Sequence, residues 1–135
     1  MSKVIAAGIA VIYQDKILLV HPTNSKWIGS YSIPKGHIEK SESKKEAAKR
    51  EFYEETGIEI KSKLGKPIEL KYITIKKRLW FYLLRIESLD EIGLDAEVVP
   101  KNQLQLSEVD WCGFVQKDEA VRRINRNMLE IIKYV

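Results

Sequence analysis

The sequence predicts one domain of the α/β or α+β class, in which helices cover a mixed β-sheet. Three observations support this prediction. Strand-like and helix-like stretches alternate along the chain, 44% of its 135 residues are hydrophobic, and no repeat, linker or low-complexity tract interrupts it. A chain of this length fits one compact core and leaves no room for a second folded domain. We therefore expect residues 1–135 to form a single domain.

The first strands are predicted from runs of β-branched and small apolar residues. A tight turn at Gln14 and Asp15 should pair the first strand with the second. A loop containing Pro22 and a short extended piece follow, and they lead the chain to Lys35 and Gly36. The predicted bounds of the two strands, the loop and the extended piece are residues 4–13, 16–20, 21–26 and 31–34.

The next stretch carries both end signals of a helix. Ser43 and Glu46 have the spacing of a capping box, in which the serine oxygen accepts from a backbone N–H and the glutamate reaches back. Gly57 can adopt the left-handed conformation that closes a helix. The predicted helix therefore covers residues 44–56, about three and a half turns.

The second half of the chain should complete the sheet and add a closing helix. Alternating apolar residues predict a β-hairpin with strands at 68–75 and 79–86. An irregular stretch, 88–107, then precedes a strand at 109–115. The closing helix is predicted at 118–132. Its basic side chains should form a solvated face, and contact with a polyphosphate or RNA is the alternative. Its apolar stripe consists of Val121, Ile124, Met128, Leu129 and Ile132.

Composition excludes several function classes. No stretch approaches the ~18 uncharged apolar residues that a bilayer span requires, so no membrane partner is expected. The start lacks the cleavage site of a secretory signal, and Cys112 is the only cysteine, which leaves no internal disulfide or cysteine-based zinc site. We expect a cytoplasmic protein with Cys112 in the core. The net charge of +4 permits a polyanionic partner but does not require one, and we expect a small-molecule nucleotide substrate and not a nucleic acid.

Three glutamates give the predicted helix 44–56 an acidic face. Glu51, Glu54 and Glu55 are spaced i, i+3 and i+4, so they project within an arc of about 100°. Like charges at this spacing destabilise a helix unless they are neutralised. Mg²⁺ or Mn²⁺ would neutralise them, because hard cations prefer carboxylate oxygens. A solvated acidic surface is the other explanation, and the spacing alone does not decide between them.

Two neighbouring features favour a ligand site. Ala47 and Ala48 lie one turn earlier on the helix and should leave space beside the carboxylates. Lys35 can meet a phosphate, and Gly36 allows close approach of the backbone. The sequence therefore favours a phosphate site next to the glutamates.

The fixed residues around this helix have the spacing of a known motif. Gly36 is followed after five residues by Glu42, and after seven more by residues 50–58, REFYEETGI. This pattern resembles the complete Nudix box. The remaining chain is also similar to Nudix hydrolases, with strands before the box, a hairpin after it and a later strand containing Trp111. The resemblance implies an α/β/α sandwich with a mixed sheet.

The resemblance also implies an activity and its cofactor. Nudix proteins use Mg²⁺, with Mn²⁺ as a substitute, to hydrolyse a phosphoanhydride bond in a nucleoside diphosphate-linked substrate. Trp27 and residues 34–37 are similar to the entry of the box in diadenosine tetraphosphate hydrolases, which favours a (di)nucleoside polyphosphate or NTP. The alternative is a non-catalytic nucleotide- or RNA-binding module with the same fold. Either form could be a monomer or a homodimer.

Residue roles follow from the resemblance. The implied metal ligands are Glu51, Glu54, Glu55 and the backbone carbonyl of Lys35. Glu51 or Glu54 could instead be the base, and Arg50 and Glu42 are the implied orienting pair. Many family members use a further acid from the loop before the tryptophan strand, for which Glu108 and Glu97 are the candidates.

Four aromatic side chains are candidates for further substrate contacts, whereas the two histidines are not expected to bind a metal. Stacking on a nucleobase is one role for strand or loop aromatics, and burial in the core is the other. The candidates for stacking are Trp27, Tyr31, Tyr72 and Tyr82. His21 and His37 are predicted to lie in loops with surface or hydrogen-bonding roles, because neither has a second histidine or cysteine at ligand spacing.

Overall fold

The computed structural model describes residues 4–70 and 77–135, and these form a mixed sheet with helices on both faces. The predicted fold class is confirmed. In chain order the strands and α-helices are β1 (Val4–Tyr13), β2 (Lys16–Pro22), β3 (Lys35–His37), α1 (Lys44–Thr56), β4 (Ile68–Leu70), β5 (Lys77–Ile86), β6 (Val109–Gln116) and α2 (Lys117–Arg123). Three 3₁₀ helices occupy Leu89–Ile92, Lys101–Gln103 and Arg126–Tyr134. Within the described ranges, no helix combines the length and apolar character needed to cross a bilayer.

Strand β1 organises the sheet because it pairs with three other strands. It runs parallel to β5 along its whole length, and the sheet order is β4-β5-β1-β2-β6. The last residues of β1 pair with β2 across the predicted tight turn, whereas Ala6, Ala7 and Gly8 pair antiparallel with β3. Strand β2 therefore diverges from β1 and continues along β6, and β3 pairs with the part of β1 that β2 leaves. This divergence brings the backbone of Lys35 and Gly36 to one end of the sheet.

The two faces of the sheet bury separate cores, because successive strand residues point to opposite sides. Helix α1 packs on one face, where Phe52 contacts a cluster that includes Val11 and Leu18. Ala47 and Ala48 are fully buried in this cluster. The predicted role of these two alanines, leaving space for a ligand, is therefore wrong; their small side chains let α1 lie close to β1. Helix α2 and the C-terminal 3₁₀ helix cover the other face.

Both predicted ends of α1 are confirmed. The Ser43 hydroxyl accepts from the Glu46 backbone N–H at 3.1 Å, and the Glu46 carboxylate accepts from the Ser43 N–H at 2.9 Å. Gly57 has a φ of 73°, a conformation that glycine adopts without strain. Because these signals lie within one short stretch of chain, local sequence fixes the helix that carries the glutamates.

The predicted closing helix is wrong as a single element. Helix α2 ends at Arg123, Ile124 is extended, and the 3₁₀ helix begins at Arg126. The Tyr31 N–H donates to the Arg123 carbonyl at 2.9 Å, and the Asn125 N–H donates to the Tyr31 carbonyl at 2.7 Å. The chain therefore bonds to a distant loop instead of continuing its own helical hydrogen bonds.

This break also divides the predicted apolar stripe. Ile124, Met128 and Ile132 are buried as expected, but Val121 and Leu129 are 47% and 42% exposed. The break at Ile124 changes the helical phase, so these two side chains turn away from the core.

The other strands agree only in part with their predicted bounds. Strands β4 and β5 pair antiparallel, as the predicted hairpin requires, while residues 71–75 of its first strand lie outside the described residues. Strand β2 continues through Pro22, so His21 lies in a strand and not in the predicted loop. Residues 31–34 make only single β-bridges, at Tyr31 and Ser32, and the regular strand begins at Lys35. His37 likewise lies in β3 and not in a loop.

Candidate functional site

An acidic pocket of about 400 Å³ lies where the C-terminal half of α1 meets β3 and the segment before β6. Four carboxylates line the pocket, and three of them come from helix α1. The residues that line the pocket are Lys35, Gly36, His37, Glu51, Glu54, Glu55, Gln105 and Glu108. The structure therefore brings the three glutamates together with the predicted phosphate-site residues. Gln105 was not predicted, because a glutamine in an irregular stretch carries no sequence signal of its own.

Arg50 lies beside the pocket and hydrogen-bonds to two of the glutamates that line it. Its Nε and Nη2 donate to the two oxygens of Glu42 at 2.6 and 3.0 Å. Its Nη1 donates to Glu51 and to Glu54, each at 3.0 Å, and Nη2 also donates to the carbonyl of His37. The expected pairing of Arg50 with Glu42 is thus present, and this two-point contact fixes the guanidinium plane. These hydrogen bonds hold the pKa of Glu42 below its ordinary value.

Gly36 is required by the position of Glu51. A Cβ atom built on Gly36 would lie less than 3.0 Å from the carboxylate carbon and both carboxylate oxygens of Glu51. The backbone of β3 and the Glu51 carboxylate are therefore in direct contact, and any side chain at position 36 would displace the carboxylate. Burial raises the pKa of Glu51, while its hydrogen bond from Arg50 opposes this shift.

Glu55 is the most perturbed acid of the pocket. Its half-buried position raises its pKa from 4.5 to about 8, chiefly because the charged form loses solvation. The nearby negative charges of Glu51 and Glu108 act in the same direction, whereas Lys35 favours the charged form. A pocket that concentrates negative charge to this degree is suited to a cation.

Of the two candidates for a further acid, the structure places only Glu108 at the pocket. Glu108 is exposed and directly precedes β6, and its charge acts on both Glu51 and Glu55. Glu97 instead forms an ion pair with Lys16 at 2.9 Å, away from the pocket lining. Glu97 as the additional acid is therefore wrong.

The aromatic side chains proposed to stack on a nucleobase differ in how much of their surface is exposed. Trp27 is 54% exposed and stays a candidate for substrate contact. Tyr31 and Tyr82 are 0% and 3% exposed, so neither offers a ring face to a nucleobase, and the stacking predicted for them is wrong. Their residue type and spacing could not distinguish the core role from the binding role. Tyr72 lies outside the described residues.

The two histidines and the cysteine lie in three different environments. His21 is buried and hydrogen-bonded, with Nδ1 2.6 Å from Asp110 Oδ1 and Nε2 3.0 Å from the Lys26 carbonyl. His37 is exposed and lines the acidic pocket. Cys112 is fully buried, as predicted, and burial raises the pKa of its thiol well above the ordinary range.

Comparison with known families agrees with this geometry. The NUDIX domain profile matches residues 2–132, which is nearly the whole chain. The chain belongs to the NUDIX domain family.

Two relatives of this NUDIX chain share about a third of their aligned residues with it. Putative hydrolase 111R of Invertebrate iridescent virus 3 is 34% identical over 106 residues, which are 78% of this chain and 56% of the viral protein. The probable DHNTP pyrophosphohydrolase of Lactococcus lactis subsp. cremoris (strain MG1363) is 36% identical over 72 residues, 53% of this chain and 40% of that protein. The chain thus spans less than two thirds of the length of either relative.

A solved NUDIX structure shows the same fold. The Ap4A hydrolase of C. elegans, determined as a binary complex, superposes with a TM-score of 0.69 over 96% of this chain and 93% of the hydrolase. The two sequences are 18% identical, so this similarity concerns the fold alone.

NUDIX proteins generally use divalent metal cations, and the oxygen donors of the acidic pocket fit such an ion. In residues 4–70 and 77–135, no three His, Cys, Asp or Glu side chains already converge as a metal site. Nη1 of Arg50 donates to both Glu51 and Glu54. A cation would have to draw these carboxylates away from the guanidinium, whereas Glu55 faces Lys35.

Proposed function

We propose that the chain is a Mg²⁺-dependent pyrophosphohydrolase that cleaves a phosphoanhydride bond in a nucleoside diphosphate-linked substrate. The observation that carries this proposal is the pocket in which Glu51, Glu54, Glu55 and Glu108 lie together beside Lys35. (Di)nucleoside polyphosphates and NTPs are the favoured substrates. The names of two similar proteins, a DHNTP pyrophosphohydrolase and an Ap4A hydrolase, support this class.

The residues of the pocket divide into cation and phosphate contacts. Glu51, Glu54, Glu55 and the backbone carbonyl of Lys35 would hold the cation. Bound there, the ion lowers the pKa of water and screens the negative charge of the polyphosphate. The ammonium group of Lys35 contacts a phosphate oxygen directly.

Glu108 is the proposed general base. Its carboxylate is exposed at the rim of the pocket, where it can accept a proton from an attacking water molecule. Arg50 and Glu42 have a positioning role, because their two-point ion pair fixes the guanidinium that contacts Glu51 and Glu54.

The test is a release assay on a panel of substrates. Phosphate and nucleotide products are measured for NTPs, diadenosine polyphosphates, ADP-ribose and nucleotide sugars, with Mg²⁺ and with EDTA. We expect Mg²⁺-dependent turnover of at least one polyphosphate. Replacing Glu54→Gln should lower the rate by about a hundredfold or more, because a charged metal ligand is lost.

Glu59→Gln is the matched control, since Glu59 is exposed just beyond α1 and lies outside the pocket lining. Its rate should equal that of the wild type. If no substrate turns over while circular dichroism shows a folded protein, the proposal fails. Nucleotide binding measured by calorimetry would then identify the chain as a non-catalytic binding module.

A further inference from the structure

A second surface combines exposed apolar groups with arginines on the face covered by α2. Trp27 and Ile28 are 54% and 56% exposed, although neighbouring Tyr31 is fully buried. We call this surface the basic-aromatic patch. It consists of Trp27, Ile28, Val121, Arg122, Arg123, Arg126 and Leu129.

Hydrogen bonds fix the loop that presents Trp27. The Lys26 carbonyl accepts from Nε2 of buried His21 at 3.0 Å. Further along the loop, the Gly29 N–H donates to the Arg122 carbonyl at 3.1 Å. The Trp27 ring also contacts His21, with ring centroids 5.3 Å apart. The ring is therefore held exposed before any ligand binds, which lowers the entropy cost of binding.

Arg123 lies against the Trp27 ring. Its Cζ is 5.0 Å from the ring centroid, and Glu119 holds the guanidinium through a 3.0 Å contact with Nε. This geometry is that of a cation–π pair. Because just over half of Trp27 stays exposed, ring surface is left on which a flat group can stack.

Next to Trp27 is an open depression of about 360 Å³. Its apolar lining comes from Ile28, Val121 and Leu129, and its rim from Arg122 and Arg126. Arg122 is paired with Glu119, which also pairs with Arg123. Arg126 is exposed and has no ion pair or side-chain hydrogen bond to any other residue in the described ranges.

We propose that the basic-aromatic patch binds single-stranded nucleic acid. One base stacks on Trp27, a neighbouring base enters the depression, and the phosphates contact Arg122 and Arg126. Every base has a π-face that can stack on an aromatic ring, and guanidinium groups match phosphate oxygens in geometry and charge. An acidic peptide would satisfy the arginines but would leave the exposed Trp27 ring without a stacking partner.

The patch lies at the same end of the sheet as the acidic pocket. The segment between β2 and Trp27 is bonded to the segment that carries Glu108, since the Thr23 N–H donates to the Glu108 carbonyl at 3.0 Å. Binding at the patch itself does not depend on the proposed hydrolysis.

The test uses a fluorescein-labelled RNA of about 12 nucleotides with a 5′-hydroxyl end. This probe has no anhydride bond, and EDTA in the buffer removes divalent ions, so fluorescence anisotropy reports on binding without hydrolysis or a bound metal. We expect saturable binding by the full chain. Arg126→Glu should weaken it by about tenfold or more, and Trp27→Ala by about fivefold or more.

The salt dependence gives a second readout. Loss of one phosphate contact should reduce the slope of log K against log salt by about 0.7 for a single strand. Arg126→Gln removes the charge without reversing it and should give this change in slope. Lys45→Glu is the matched control, because Lys45 is exposed on α1, on the opposite face of the sheet. It should change affinity by less than about twofold.

Three results would overturn the proposal. They are no saturable binding by the wild type, equal losses for Arg126→Glu and Lys45→Glu, and displacement of the RNA by polyglutamate as readily as by unlabelled RNA. Failure of hydrolysis with intact RNA binding would refute only the proposed function. Turnover of nucleotides without RNA binding would refute only the patch.

Discussion

Replacing Glu55 by glutamine should stabilise the metal-free protein at alkaline pH. The folded protein raises the pKa of this carboxyl from 4.5 to about 8, mainly because the charged form is poorly solvated. Between these two values the unfolded chain has released the proton and the folded chain has kept it. Folding stability of the wild type therefore falls as pH rises from about 4.5 to about 8. Glutamine is neutral throughout and lacks this loss.

The size of the effect follows from the shift. A difference of about 3.5 pKa units, at about 1.4 kcal/mol per unit, gives an upper limit of roughly 5 kcal/mol above pH 8. Glu55 is half-buried, so water and local relaxation will stabilise part of its charge. We therefore expect Glu55→Gln to exceed the wild type by about 2–4 kcal/mol at pH 9, and by less than about 1 kcal/mol at pH 5.

Urea unfolding at pH 5 and pH 9 in EDTA measures this difference. The control is Glu59→Gln, at an exposed position where removal of the charge should have little effect at either pH. Adding Mg²⁺ at pH 9 should stabilise the wild type and have a much weaker effect on Glu55→Gln, because the cation neutralises the same charge. Equal stability of wild type and Glu55→Gln at pH 9 in EDTA would refute the reasoning.

Three other variants test the pocket and its helix. Gly36→Ala should abolish turnover without unfolding the chain, because its Cβ would displace the Glu51 carboxylate. A product-release assay tests the loss of turnover, and circular dichroism tests whether the chain stays folded. Glu108→Gln should lower kcat by more than about tenfold, and a smaller drop would assign the base to another residue. Ser43→Ala should reduce the free energy of unfolding by about 1 kcal/mol in urea titration, because it removes the N-cap of α1.

Helix α1 shows how much of the site can be predicted from local sequence. Ser43, Glu46 and Gly57 fix both of its ends through contacts within the same segment. Once the helix is known, its 3.6-residue period places Glu51, Glu54 and Glu55 on one side. The phosphate-site residues Lys35 and Gly36 are close to this helix in the chain, so their position beside the glutamates could also be predicted.

The aromatic residues show where the same reasoning fails. Tyr31 and Trp27 are close in sequence and similar in chemistry, yet one is fully buried and the other is half exposed. Their difference arises from packing against α2 and the side chains of β2 and β6, which residue type does not reveal. The prediction for Ala47 and Ala48 was wrong for a related reason. Small side chains allow two elements to pack closely, as here, just as they can leave space for a ligand.

The sequence by itself determined the fold class, the position of α1 and the three glutamates on one side of that helix, because these depend on periodicity and on caps within a few residues. Tertiary structure alone decided which further acid joins them. Glu108 reaches the pocket and Glu97 pairs with Lys16, through contacts between segments far apart in the chain. It also decided the break at Ile124, where hydrogen bonds to Tyr31 replace those of a continuous helix. Such contacts depend on how the sheet assembles, which no local pattern encodes.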